Sequence, residues 1–136
     1  MFMEAEPATP LPTDAEMAAE PELRPFLNLS RSQRDWLMLV AYLHLEQQKP
    51  ERAALLLRLV YRAFPDDAEV QRCLALAELL AGSPVAAARA ATRAFKQSED
   101  RLRVPVGLVF AKALWEQGKQ EAARDFLASL LTENRR

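Results

Sequence analysis

Only one cysteine, Cys73, and one histidine, His44, occur in the 136 residues. A single thiol excludes an intramolecular disulfide and suits a reducing compartment. A single imidazole cannot build the usual histidine-based metal site, and Cys73 lies in a different helical segment. The three glycines never cluster, so no glycine-rich phosphate cradle is present. Net charge is also scarce, at −1, which leaves no basic field to draw in nucleic acid or a membrane surface. No apolar run approaches the ~20 residues that span a bilayer. The first residues are acids and prolines, unlike a secretory or transit signal. These absences exclude most catalytic, metal-binding and nucleic-acid-binding classes, and they lead to the expectation of a soluble cytoplasmic protein that is not an enzyme and needs no cofactor.

The near-zero charge hides an asymmetry. Residues 1–29 hold six acids against one base, Arg24, for −5, so the remainder carries +4. Five of the nine prolines (Pro7, Pro10, Pro12, Pro21 and Pro25) fall in the same stretch. Proline lacks a backbone donor and the acids repel one another, so residues 1–28 are expected to form a disordered acidic tail. The domain proper is expected to span residues 29–136.

From Leu29 onward the pattern is helical. Ser30-x-x-Gln33 reads as a capping box, followed by apolar residues Trp36, Leu37, Leu39, Val40 and Leu43 at helical spacing. Gln47–Lys49 reads as a turn, and Pro50 opens a second helix that Pro65 and Asp66 stop. Asp66-x-x-Glu69 reads as the next capping box. Gly82 suits a helix end, and Ser83-Pro84 starts a fourth helix to about Lys96. A polar loop is expected over residues 97–103, a fifth helix from Pro105 to Gly118, and a sixth from about Gln120 to Thr132.

Within this pattern Ala53, Ala87 and Ala123 recur at intervals of 34 and 36 residues. Thirty-four residues is the period of the tetratricopeptide repeat, a stacking helix–turn–helix unit. A second small residue, expected where paired helices approach most closely, is supplied by Ala41, Ala75 and Ala111. Large apolar positions pair Val40 with Leu57 and Phe110 with Leu127, but the middle unit pairs Leu74 with only Ala91, so its second helix should pack closely. The fold class is therefore all-α: three tandem tetratricopeptide-like hairpins in a short right-handed superhelix with a concave groove. The same register assigns groove positions to Met38, Tyr42 and Leu45, then Arg72, Leu76 and Leu79, then Leu108, Lys112 and Trp115. Most are apolar, and an amphipathic helix from a partner is the simplest cover for them. Arg72 and Lys112 would meet acidic groups on it. The plainer alternative is that these side chains pack within the chain itself, as core residues do.

Other candidates have ordinary readings. His44 has no nucleophile or pocket to serve, Cys73 sits on an apolar face, and Arg89, Arg93, Lys96, Arg101 and Arg103 read as one solvated basic face.

The stretch Leu29-Ser30-x-x-Gln33, the run Trp36–Leu45, and the triplets Glu51-Arg52-Ala53 and Arg72-Cys73-Leu74 resemble the SctY (YscY) family. These are small tetratricopeptide-like chaperones of bacterial type III secretion. The resemblance covers residues 29–95 well and the last third in pattern only. It implies a cytoplasmic bacterial chaperone that binds a small secreted partner of the SctX type and, with it, engages the cytosolic domain of the export gate. Alternatives in the same architecture are a chaperone for translocator or needle proteins and a tetratricopeptide adaptor or scaffold subunit. A further alternative is a module whose acidic tail occupies its own groove.

Overall fold

The computed structural model describes residues 28–134. The tail expected over residues 1–28 lies outside them apart from Asn28. Six helices follow in order: α1 (Arg31–Glu46), α2 (Pro50–Ala63), α3 (Ala68–Leu80), α4 (Pro84–Gln97), α5 (Asp100–Glu116) and α6 (Gln120–Asn134). Each packs mainly on its neighbours in sequence, and α3 also meets α5. The body is thus a row of adjacent helix pairs, all-α among the described residues.

The repeat is written in the backbone at the hairpin turns. Gln48, Gly82 and Gly118 have φ of 61°, 82° and 81°, at the same intervals of 34 and 36 residues. All three turns close with the same pair of hydrogen bonds. The left-handed residue donates its N–H to the carbonyl three back: Gln48 to Leu45 (3.1 Å), Gly82 to Leu79 (3.2 Å), Gly118 to Trp115 (3.0 Å). The following residue reaches five back: Lys49 to His44 (2.8 Å), Ser83 to Glu78 (2.9 Å), Lys119 to Leu114 (3.0 Å). This Schellman arrangement satisfies carbonyls that a helix end leaves orphaned. Glycine adopts it without steric cost; Gln48 does not.

The helix starts are mostly those the sequence signals. Ser30 Oγ accepts from Gln33 N–H (3.1 Å) while Ser30 N–H donates to Gln33 Oε1 (2.8 Å), completing the capping box. Pro50 and Pro84 open α2 and α4. Two boundaries differ from expectation. The cap of α3 is Asp67, not Asp66; its Oδ1 accepts from Glu69 N–H (3.1 Å) and Val70 N–H (3.2 Å). Helix α5 opens at Asp100 rather than Pro105, so the expected polar loop shrinks to Ser98 and Glu99, and Pro105 lies inside the helix. Tertiary contacts hold that extra turn against the missing N–H. Arg103 stacks 4.0 Å over the Phe95 ring and pairs with Glu133 at 3.0 Å, and Asp100 sits where the helix dipole favours an acid.

The core is built largely from alanine. Ala41, Ala75 and Ala111 are 1, 1 and 4% exposed, and Ala53, Ala87 and Ala123 are 0, 0 and 1% exposed, as the repeat alignment requires. Every fully buried residue of α4 is an alanine: Ala87, Ala90, Ala91 and Ala94. Small side chains on that face suit close helix approach, and α4 packs on both α3 and α5. Gly107 does the same for the last hairpin: a Cβ there would lie 2.5 Å from Leu130 Cδ2. Bulk comes from Leu57, Val60, Val70 and Leu74, and from Phe126, whose ring meets those of Phe95 (5.6 Å) and Phe110 (4.8 Å) edge to face.

Two buried ion pairs stitch the row together. Arg34, on α1, reaches Asp67 Oδ2 through Nε (3.0 Å) and Nη2 (2.8 Å), Glu69 through Nη2 (3.2 Å) and Asp35 through Nη1 (2.8 Å). Burial alone would lower the pKa of this guanidinium, but the hydrogen bonds to Asp35, Glu69 and Asp67 outweigh it, so the group is held above the ordinary arginine range. Arg58 on α2 meets the buried Glu78 on α3 at 2.6 Å. Glu78 is 2% exposed, and its pairing with Arg58 offsets the cost of burying a charge.

Candidate functional site

The nine residues expected to face a partner come from the first helix of each pair, at three equivalent positions per helix. Their exposure is uneven. Tyr42, Leu76, Leu108 and Trp115 are 56, 40, 52 and 41% exposed. Lys112 is exposed, with Nζ 3.6 Å from Glu116. Met38, Leu45, Arg72 and Leu79 are half-buried, and Met38 and Leu45 pack against the core cluster. Four large apolar side chains therefore stand well out of the fold, while two of the other apolar positions belong partly to the core. Direct packing of α3 on α5 puts Leu76, Leu108 and Trp115 on touching helices. Tyr42 lies on α1, which Arg34 ties to the start of α3.

Charged side chains neighbour two of these rings. Arg124 on α6 lies 5.6 Å over the Trp115 ring. The Glu46 carboxylate one turn on pushes the Tyr42 phenol pKa up, through hydrogen bonding and its charge. Both rings remain partly in solvent.

Residues bearing chemistry are placed in ordinary surroundings. Among the described residues no cluster of three or more His, Cys, Asp or Glu is arranged to hold a metal ion. Cys73 is a half-buried thiol whose pKa burial pushes up, with the nearby Glu69 charge acting in the same direction. Much of the basic stretch is engaged within the fold. Arg93 lies 5.2 Å over the Tyr61 ring, Arg101 pairs with Glu99 at 3.2 Å, and Arg103 is held by Phe95 and Glu133. No helix among the described residues is long and apolar enough to cross a membrane.

Sequence reasoning passed over a second exposed apolar face. Trp36, Leu39 and Leu43 on α1, three of the apolar residues that recur at helical spacing, are 64, 50 and 48% exposed. The signal was present: from Trp36 to Leu45 apolar residues occupy nearly all sides of α1, more than a single core contact needs.

No protein-family model matches the chain, and no curated protein matches it.

Proposed function

We propose that this protein is a helix-binding export chaperone: three tetratricopeptide-like hairpins curve so that Tyr42, Leu76, Leu108 and Trp115 line a concave groove that takes an amphipathic segment of a small secreted client. The observation that supports this reading is the exposure of those four side chains on the first helix of each pair. A side chain of this size gains about 1.5–3 kcal/mol on complete burial, so covering four half-exposed ones contributes several kcal/mol to a complex. Arg72 and Lys112, on the neighbouring helices α3 and α5 at successive positions of the register, select a client carrying acids beside its apolar stripe. Covering the client's own apolar face keeps it from aggregating before export, and no nucleotide is required.

The assignment to type III secretion, with an SctX-like client and delivery to the cytosolic domain of the export gate, rests on the SctY-like motifs at residues 29–33, 36–45, 51–53 and 72–74. Co-expression of the chain with an SctX-like protein tests both levels. Stable co-purification is expected, with Leu76→Asp or Trp115→Glu abolishing it while helical circular dichroism is retained. Undiminished binding by those variants would overturn the groove. A partner that stays in a permanent complex and is never secreted would instead make the protein an adaptor subunit.

A further inference from the structure

The intervals of 34 and 36 residues that relate the hairpins also relate their burial, and the two ends of the row break the pattern in opposite ways. On α1, Trp36 and Leu43 are 64 and 48% exposed. Their counterparts on α3 and α5, Val70 and Val106 for the first and Ala77 and Ala113 for the second, are all buried. Leu39 is exposed too, while its counterparts Cys73 and Val109 pack against the core cluster. Helices α3 and α5 each have the preceding helix of the row packed on them, α2 and α4, and α1 has no preceding helix among the described residues. At the other end, Leu131 on α6 is 53% exposed, whereas its counterparts Tyr61 on α2 and Phe95 on α4 pack against the core cluster. Leu127 is half-buried, whereas Leu57 and Ala91 are 0% exposed. Helices α2 and α4 each have a following helix packed on them, and α6 has none among the described residues. A stacked-repeat protein normally keeps its outer faces polar; here both carry large apolar side chains.

The two open faces are the two halves of an interface that the molecule already makes twice, α2 on α3 and α4 on α5. We infer that a second copy of this chain completes it: α6 of one copy packs on α1 of the next, and the row of helices continues head to tail. The register supports this occupant. Inside the molecule Phe95 on α4 lies 4.0 Å beneath the Arg103 guanidinium on α5. The longer interval carries Phe95 to Leu131, and both intervals together carry Arg103 back to Gln33. The same packing therefore seats Leu131 of one copy beside Gln33 of the next. A shallow hollow of about 380 Å³ opens there, lined by Leu29, Ser32, Gln33, Trp36 and Leu37. Charge agrees as well. Because α5 starts where α4 ends, the end of α6 comes to the start of α1, which brings the exposed Glu133 to the exposed Arg31. The first turn of α1 holds no acid that would oppose it. A symmetric pairing of α1 on α1 would leave Leu127 and Leu131 uncovered, whereas the head-to-tail contact covers both faces. Such a contact is heterologous, so each added copy leaves one face of each kind free for another.

Sedimentation velocity of the full chain over a wide concentration range tests this. The sedimentation coefficient is expected to rise with concentration. Trp36→Glu blocks the α1 face and Leu131→Glu the α6 face; both positions are exposed, so helical circular dichroism should be retained. Each variant alone is expected to stay monomeric, and Leu39→Ser and Leu131→Ser should repeat the two blocks without an added charge. Mixing Trp36→Glu with Leu131→Glu should restore association as a 1:1 pair that grows no further, because one intact face of each kind remains. A parent chain that stays monomeric throughout would overturn the inference. So would a Leu131→Glu variant that still self-associates, since α1 would then pair with α1. The variants leave Tyr42, Leu76, Leu108 and Trp115 unchanged, so the outcome is read separately from client binding.

Discussion

Replacing Arg34 by methionine keeps most of the buried stem and removes the guanidinium that ties α1 to the start of α3. Three carboxylates receive that group, but they do not count equally. The side chains of Asp35 and Glu69 are 60 and 55% exposed, and ion pairs so open to water are worth at most about 1 kcal/mol. Asp67 is 16% exposed and accepts two N–H groups on one oxygen; hydrogen bonds to charged groups contribute about 1.5–3 kcal/mol each. The expected loss for Arg34→Met is about 2–3 kcal/mol, with most of it carried by Asp67. The two oxygens of Asp67 have separate tasks, which allows the claim to be dissected. Oδ2 meets Arg34, whereas Oδ1 caps α3. Asp67→Asn retains a capping oxygen and loses the charge; Asp67→Ala loses both and is expected to cost about 1 kcal/mol more. Urea unfolding followed by far-UV circular dichroism measures each variant. The double variant Arg34→Met/Asp67→Asn should fall short of additivity by about 1–2 kcal/mol. Additive losses would show that the two side chains do not stabilise the fold through one another, and the clamp would have to be abandoned.

Three further outcomes follow from particular contacts. Gly82→Ala meets no heavy atom within 4 Å, so its φ of 82° alone sets the cost, about 1 kcal/mol by thermal unfolding. Gly107→Ala has the opposite origin: alanine favours the helix by about 1 kcal/mol, but the overlap with Leu130 and Phe126 makes the net effect destabilising, since overpacking costs about 1–3 kcal/mol. A Leu130→Ala background removes the nearer clash and should reverse the sign of Gly107→Ala; the same sign in both backgrounds would refute the close approach. Cys73, with its pKa pushed up by burial, should alkylate with iodoacetamide far more slowly in the folded protein than in urea at the same mildly alkaline pH. Equal rates would mean that the thiol is open to solvent.

Much of this molecule was legible in its sequence because the decisive signals are local. A capping serine, prolines at helix starts, glycines at helix ends and alanines recurring at near-constant intervals each act over a few residues, and the structure places six helices where they direct. The boundary at Asp100 was not legible, because an extra turn carrying an internal proline depends on Phe95 and Glu133, which belong to other helices. Nor was Arg34: an arginine in a polar-looking first turn reads as surface, and only the return of the chain brings Asp67 and Glu69 to it. The apolar positions show the same division. Periodicity assigned Tyr42, Leu76, Leu108 and Trp115 to a groove together with Met38, Leu45, Arg72, Leu79 and Lys112, and gave Trp36, Leu39 and Leu43 only as apolar residues at helical spacing. Whether an apolar side chain is covered depends on which helix lies against it, and no short-range pattern records that. The chain by itself determined where helices begin, end and turn; the tertiary structure decided which of their faces remain in water, because burial is a property of neighbours distant in sequence.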